Sequence, residues 1–421
     1  MLPQSDQPVI AEAKRIAAEF EYSSADVNRG VKKFLSEMEI GLTGEGSTLS
    51  QIPSYITCVP DGSEKGVYLA VDLGGTNIRV CSIHLNGDST FDMTQEKAVI
   101  PRELMVSDSA AELFGFIAEQ IECFLQKHHE ERYASHTEKR RLGNIAFHDE
   151  DIFDLGFTFS FPVIQTAINK GNLYRWTKGF DIRRLWAKMF ANCYKMLSIR
   201  EIYLFDNPLE VLPNTRHDQE LDGISVNPGV QMFEKRVSGM FLGEILRCTI
   251  LHMNKNPALN LCGGSSAIPK DSILYQHWGI DTKFLSTVEG DSTDDLREVK
   301  EELRSDLGIE NASTTDCKAI KVLTHAIGKR AARLSAVPLA AIIISSGRLG
   351  TEDVIDIGVD GSLIEFYPGY EKYIREAWRE IPEIGEKGEK KIQIGIAKDG
   401  SGVGAALSAL VARQAEKRKQ G

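Results

Sequence analysis

The sequence predicts an α/β protein that folds as two packed domains. A chain of 421 residues, 42% of them hydrophobic, is long enough to form two hydrophobic cores. Short apolar runs of strand length alternate with longer segments in which apolar residues recur at helical spacing. A glycine-rich turn at residues 74–77 joins two predicted strands, and ligands of α/β sheets usually lie at strand ends.

The elements follow from the spacing of apolar residues and from turn-forming residues between them. In chain order, the first half predicts helices within 8–40 capped at Ser23-Ser24, strands at 67–73 and 78–84, a helix at 110–127, a loop insertion at 128–152, a strand at 155–161, a loop at 169–181 and a helix at 183–198. The second half predicts helices at 234–254 and 319–335, strands at 340–345, 354–358 and 392–396, and a terminal helix at 404–417.

Composition argues against several classes of protein. The formal net charge of −11 disfavours nucleic acid as a partner, because phosphate binding needs a concentrated basic surface. Seven cysteines, odd in number and without a CxxC pair, predict neither a disulfide framework nor a zinc cluster, and indicate a cytoplasmic location. The N-terminus lacks the features of a secretory signal, and no run of roughly 18 apolar residues predicts a membrane span.

The first motif with chemical meaning is the segment from Asp72 to Arg79, between two predicted strands. Gly74 and Gly75 allow close approach of the backbone, and successive N–H groups can form a nest for an anion. Thr76 and Asn77 add side-chain donors, and a carboxylate at the strand end can hold Mg²⁺ through water. The alternative is an ordinary β-hairpin with a glycine turn.

The second motif combines Ser160 with the loop that carries Thr177 and Lys178. A hydroxyl and an ammonium group from adjacent loops suit a polyhydroxy ligand. The alternative is a capping serine beside a surface lysine.

The third motif is a pair of glycine-serine turns near the C-terminus. Gly361-Ser362 follows a strand, and Gly400-Ser401 precedes a helix whose N-terminus can face a nucleotide. Ordinary turn chemistry is the alternative for each of them.

In this order, the three motifs resemble the hexokinase family, whose fold has two actin-like, ribonuclease H-like lobes that close over glucose and ATP. Phe205-Asp206-Asn207, Phe233-Glu234-Lys235 and the run from Ser238 to Glu244 also match the family. The resemblance covers residues 8–182 and 200–417, and this breadth is stronger than any single motif.

The resemblance implies ATP and Mg²⁺ as cofactors and a hexose such as glucose as substrate. The implied nucleotide-binding residues are Asp72, Gly74, Gly75, Thr76, Asn77, Arg79, Lys97, Gly361, Ser362, Gly400 and Ser401, with Asp72 nearest the metal. The implied sugar-binding residues are Ser160, Thr177, Lys178, Glu201 and Glu234. Tyr203 and Leu204 depart from the family's glycine and serine between Glu201 and Phe205.

The same resemblance implies four segments. Residues 1–61 would form helices on the large lobe, residues 62–205 the small lobe, residues 206–395 a truncated large lobe, and residues 396–421 a helix that returns to the small lobe.

One part of the family pattern is missing. After Gly179-Phe180-Asp181 the family continues for several tens of residues, which carry an Asn-Asp-Thr motif with the general base and a Gly-Thr-Gly phosphate loop. The sequence contains neither motif, so the catalytic aspartate is unknown and transfer is expected to be absent or very weak. Two explanations of the missing segment stay open. The chain is a regulatory member of the family, or it is the product of a mis-spliced or wrongly assigned gene.

Three functions are therefore compared. The favoured one is a hexose- and ATP-binding protein of the cytoplasm that acts as a sugar-responsive regulator with a protein partner. The alternative is an active ATP:D-hexose 6-phosphotransferase feeding glycolysis, with Asp181 or Asp206 in place of the missing base. A sugar-kinase repressor would need a DNA-binding domain and a Cys/His cluster, and Cys262 is a lone match.

Overall fold

The structure of the chain is a computed structural model. The structure describes residues 7–43, 49, 55–56, 60–74, 77–142, 153–161, 163–168, 170–173, 176, 180–182, 211–397 and 400–420. The chain divides into two compact units. A helical unit contains residues 1–51 and 198–397, and a sheet unit contains residues 52–197 and 398–421.

The elements up to residue 182 combine strands and helices. They are α1 (Gln7–Glu19), α2 (Ser24–Thr43), β1 (Lys65–Leu73), β2 (Asn77–Asn86), β3 (Phe91–Val99), α3 (Arg102–Met105), β4 (Val106–Ser107), α4 (Ala110–His128), α5 (Glu130–Arg141), β5 (Leu155–Phe159), β6 (Val163–Ala167), β7 (Lys170–Leu173) and β8 (Asp181–Ile182).

The elements after residue 210 are mainly helical. They are α6 (Arg216–Ile224), α7 (Glu234–Val237), α8 (Gly239–Asn254), α9 (Thr282–Gly290), α10 (Arg297–Ser305), α11 (Thr314–Ser346), α12 (Arg348–Thr351), β9 (Ile355–Val359), α13 (Ser362–Phe366), α14 (Tyr370–Arg379), α15 (Gly385–Glu389), β10 (Ile392–Ile396) and α16 (Gly400–Gln420). Short 3₁₀ turns lie at Leu261–Gly263 and Ile273–Tyr275.

The sheet unit is organised around a four-stranded sheet with the order β3-β2-β1-β5. β1 pairs antiparallel with β2 and parallel with β5, so the carboxyl ends of β1 and β5 lie at the same edge. Alternate residues of β1 point to opposite faces. Leu69 and Val71 pack in a core with α4, whereas Ala70 packs in a second core with α16. Both faces of β1 are therefore buried, as its nearly continuous apolar sequence predicts.

The helical unit is built around α11, a helix of 33 residues. Ser313 and Asp316 form a reciprocal capping box at its N-terminus, and Gly347, with φ of 70°, ends it. The helices α1, α2, α8, α9 and α14 pack on it. In this unit, β9 and β10 form a parallel pair with Ile392 opposite Ile355.

Many predicted elements are confirmed. The strands predicted at 67–73, 78–84 and 392–396 and the helix predicted at 110–127 correspond to β1, β2, β10 and α4. Ser23 caps α2, because its hydroxyl accepts a hydrogen bond from the Asp26 N–H at 3.3 Å. The helix predicted at 183–198 lies outside the described residues.

The loop predicted at 128–152 is wrong for its first half, because residues 130–141 form α5. α5 carries acidic residues in its first turn and basic residues in its last, which complements the helix dipole. It buries none of its residues, so it has no apolar face for a periodicity analysis to detect. The loop predicted at 169–181 likewise contains β7 and the start of β8.

The strand predicted at 340–345 is also wrong, because these residues belong to α11. Pro338 lies inside this helix, although proline usually ends or kinks a helix, and the short apolar run after it has the length of a strand. The helix predicted at 234–254 is interrupted at Ser238, whose extended backbone separates α7 from α8. The terminal helix begins at Gly400 rather than at Gly404.

Within the ranges that the structure describes, no helix combines the length and the hydrophobicity needed to cross a membrane.

Candidate functional site

Three of the predicted nucleotide-binding residues form a row across the sheet unit. Asp72 on β1 is paired with Arg79 on β2, and Arg79 is paired with Lys97 on β3. Residues directly opposite each other in a sheet share a face, so one carboxylate and two cationic side chains line the face that carries α16. Thr158 on β5 extends this row on the other side of Asp72.

The first turn of α16 lies against the same row. The Ser401 hydroxyl donates to Asp72 Oδ2 at 3.0 Å, and the Thr158 hydroxyl donates to the Ser401 carbonyl oxygen at 3.3 Å. Two predicted nucleotide-binding residues that are 329 positions apart are therefore in direct contact. The positive end of the helix dipole favours an anion at this end of α16.

Small residues bring α16 close enough to the sheet for this contact. A Cβ atom at Gly156 of β5 would lie 2.1 Å from the Ala405 carbonyl oxygen of α16. A Cβ atom at Gly402 would lie 3.0 Å from the Cys81 sulfur of β2. Because the first distance is far below any real contact, only glycine at 156 permits the observed packing.

The predicted phosphate turn begins at the end of β1, two residues after Asp72. The Gly74 N–H donates to the Asn77 carbonyl oxygen at 3.0 Å, which closes a narrow hairpin between β1 and β2. Gly75 and Thr76 lie outside the described residues.

The donor set fits a magnesium ion bound with its water. Asp72 is half-buried, and a serine hydroxyl holds one oxygen of its carboxylate. The residues that the structure describes contain no cluster of three or more His, Cys, Asp or Glu side chains placed to hold a metal. A single oriented carboxylate suits Mg²⁺, which keeps several waters and binds through one or two carboxylates together with phosphates.

The first predicted sugar-binding residue lies at the same edge of the sheet. Ser160 directly follows β5, and its N–H donates to the Leu73 carbonyl oxygen of β1 at 3.4 Å. Trp176 stacks on Phe180 with ring centroids 5.5 Å apart, and its indole N–H donates to the Ile182 carbonyl oxygen at 3.1 Å. These contacts anchor the chain on both sides of Thr177 and Lys178, which lie outside the described residues.

The remaining predicted residues belong to the helical unit. Glu234 is exposed at the start of α7, and its Oε2 accepts a hydrogen bond from the Gln231 amide at 2.5 Å. Gly361 and Ser362 are exposed at the start of α13. Glu201 lies outside the described residues.

Thr158 and Gln231 are residues that the sequence prediction missed. Thr158 precedes Ser160 by two positions on a predicted strand, and Gln231 precedes Glu234 by three positions, close to one helical turn. The first spacing places two side chains on one face of a strand. The second does not follow from helical spacing, because Gln231 lies before α7 with φ of 57°.

Comparison with known proteins gives two matching family models, each described as hexokinase. One matches residues 12–197 and the other matches residues 181–411. A glucokinase of Aspergillus niger is 49% identical over 98% of this chain and 99% of its own length. Glucokinase-1 of Saccharomyces cerevisiae is 33% identical over 97% of this chain and 98% of its own length.

A solved structure of hexokinase from Schistosoma mansoni complexed with glucose is similar to this chain with a TM-score of 0.75. The two are 26% identical, and the match covers 96% of this chain and 99% of the other. The fold is therefore the two-lobed actin-like fold of these structures.

The alignment with the Aspergillus niger glucokinase also shows a difference in length inside the matched region. It extends over 492 residues, whereas this chain has 421, so at least 71 aligned positions have no counterpart here. Because the match covers nearly all of both chains, most of these positions are internal.

Proposed function

The chain belongs to the hexokinase family, and from this premise we propose that it binds a hexose together with ATP and Mg²⁺ while its phosphoryl transfer is absent or very weak. Glucose is the hexose to test first, because the similar proteins include glucokinases and a hexokinase complexed with glucose. We also propose a cytoplasmic location and a role as a sugar-responsive regulator, in which binding of the sugar is the signal.

The nucleotide half of the proposal rests on the row across the sheet. When bound, ATP with Mg²⁺ supplies the phosphoryl group and the charge that polarises it. Asp72 would orient the water around the metal, and its bond to Ser401 fixes the direction of the carboxylate. Arg79 and Lys97 would neutralise phosphate oxygens. Gly74, Gly75, Thr76, Asn77, Gly361, Ser362 and Gly400 are the other proposed nucleotide contacts.

The sugar half of the proposal rests on two groups of residues. Ser160, Thr177 and Lys178 would donate hydrogen bonds to the hexose, and Glu201 and Glu234 would accept them. Charged hydrogen bonds contribute about 1.5–3 kcal/mol each, so loss of one acceptor lowers affinity roughly 10- to 100-fold without abolishing binding.

The proposed loss of transfer is supported by the internal gap of at least 71 aligned positions. We propose that this gap follows Asp181, where the family's Asn-Asp-Thr and Gly-Thr-Gly motifs are expected. Neither motif occurs in the chain. Loss of a general base lowers a rate about 10²–10⁴-fold, and loss of a phosphate-stabilising loop lowers it about 10²–10³-fold more.

A coupled assay of glucose-dependent ADP release tests this proposal. With glucose, ATP and Mg²⁺, we expect turnover at least about 10⁴-fold slower than that of the Aspergillus niger glucokinase measured in parallel. Turnover of even roughly 1 s⁻¹ lies in the ordinary enzyme range and would show an active hexose 6-phosphotransferase instead. The 49% identity with a glucokinase favours this second function.

Calorimetry with glucose tests the binding half separately. We expect weak binding that is lowered further by Lys178→Ala and unchanged by Lys170→Ala, an exposed lysine of β7. A folded protein that gives no response at tens of millimolar glucose would contradict hexose binding.

Insertion of the missing segment tests where the gap lies. The part of the Aspergillus niger glucokinase that carries both motifs would be placed between Asp181 and Glu201. We expect the insertion to restore transfer, and the same insertion with its motif aspartate changed to asparagine to restore none. Equal inactivity of both insertions would locate the defect elsewhere.

A further inference from the structure

Two buried cations lie directly beside an exposed carboxylate in α7. Glu234 is exposed, whereas Lys235 and Arg236 are each only 1% exposed. Lysine is almost never fully buried unless it is paired, because removing its charge from water costs several kcal/mol. Lys235, which is buried next to the proposed sugar-binding residue Glu234, therefore needs partners that compensate its charge.

The Lys235 ammonium group holds the loop that precedes α7. Its Nζ donates to Asp222 Oδ1 at 2.6 Å and to the Asn227 carbonyl oxygen at 2.7 Å. Both oxygens of Asp222 also accept the Gly229 N–H at 3.0 Å. One ion pair therefore connects the end of α6, the middle of the loop and α7.

Gln231, near the end of this loop, contacts Glu234. Gln231 donates from its side chain to Glu234 at 2.5 Å, and its own side-chain oxygen accepts a hydrogen bond from Asn227. Its backbone has φ of 57°, in the left-handed region that few non-glycine residues adopt. Such a conformation persists only where the surroundings hold it.

We infer that Lys235 is a positioning residue for hexose recognition, because it clamps the loop from Asp222 to Gln231 so that Gln231 and Glu234 present their polar groups together. The inference rests on the proposed hexose binding. Lys235 itself is buried and acts through Gln231 and Glu234. Without the ammonium group, Asp222 keeps its charge without this partner, and the loop loses two hydrogen bonds to Lys235.

The principal experiment measures glucose and ATP affinity of Lys235→Met by calorimetry. We expect glucose affinity to fall about tenfold, the effect of misaligning one hydrogen bond to the sugar, with ATP affinity unchanged. Lys270→Met, at an exposed lysine of the same unit, should change neither affinity. Val288→Ala, a substitution in the core of the helical unit, should lower the Tm and leave the glucose affinity unchanged.

Hydrogen exchange gives a readout that does not depend on sugar binding. In Lys235→Met, amide exchange over residues 223–231 should accelerate in the absence of glucose. Asp222→Asn keeps an oxygen that can accept the Gly229 N–H but loses the charge. It should show a smaller fall in glucose affinity and a smaller increase in amide exchange, and it replaces Lys235→Met in the test if that variant does not fold.

Three outcomes overturn the inference: unchanged glucose affinity in the Lys235 variant, an equal loss in Val288→Ala, or unchanged exchange over the loop. If the wild-type protein binds no glucose, the proposed hexose binding fails, and the exchange result alone decides whether Lys235 holds the loop.

Discussion

Replacement of His217 by leucine should flatten the pH dependence of stability in the helical unit. His217 is fully buried in α6, stacked on Phe20 with ring centroids 6.0 Å apart and edge-on to His252 at 5.4 Å. Among the described residues, neither ring nitrogen has a hydrogen-bond partner. Burial, reinforced by the neighbouring His252, lowers the pKa of His217 from 6.5 to about 4.

The sign and size of the effect follow from these two values. Between pH 6.5 and about 4 the unfolded chain binds a proton at this position and the folded chain does not, so the free energy of unfolding falls as the pH falls. From pH 7 to pH 5 the loss is about 2 kcal/mol. Leucine has a similar volume and no titrating group, so the variant should lack this loss.

Urea unfolding, followed by tryptophan fluorescence, measures the free energy of unfolding at pH 7 and at pH 5. His84→Leu, at an exposed position of β2, is the matched control and should keep the wild-type pH dependence. At pH 7 the His217 variant should be as stable as the wild type or about 1 kcal/mol more stable, because a buried group without a partner has been removed. The reasoning would be refuted if the free energy of unfolding of the His217 variant fell between pH 7 and pH 5 by as much as that of the wild type.

Three further substitutions test the packing around the site. Gly156→Ala should lower stability by about 1–3 kcal/mol and weaken ATP binding by displacing α16, whereas Gly115→Ala, in open space on α4, should raise the Tm. Ser401→Ala should raise the Kd for ATP about two- to tenfold, measured by calorimetry, because the Asp72 carboxylate loses its hydrogen bond. Arg247→Leu should destabilise by about 3–5 kcal/mol in thermal unfolding, because Glu244 stays buried without its cation.

The sequence predicted the parts of the sheet unit that depend on local pattern. The apolar run of β1, the glycine turn after it and the polar residues at its end are consecutive in the chain, so the hairpin and Asp72 could be predicted together. The order of the strands and the contact of Asp72 with Ser401 could not. Register between distant segments is set by packing, such as that of Gly156 against α16, and not by the local spacing of residues.

The errors in the helical segments have two different causes. Helix α5 has no buried face, so its stability comes from charge pairs such as Arg141 with Glu138 and from helix-forming residues rather than from periodicity. The end of α11 contains a short apolar run, and such a run is equally compatible with a buried strand.

The central position of α11 has a consequence for synthesis of the chain. The Arg333 side chain of α11 donates to the Tyr22 carbonyl oxygen at 2.6 Å, across 311 residues of sequence. At roughly 5–20 residues per second, the ribosome makes α11 on the order of 15–60 s after α1 and α2. During that time the apolar residues with which these two helices pack on α11, such as Ile16 and Val27, lack their final partner. The N-terminal helices therefore lack this packing surface for most of the time in which the chain is made.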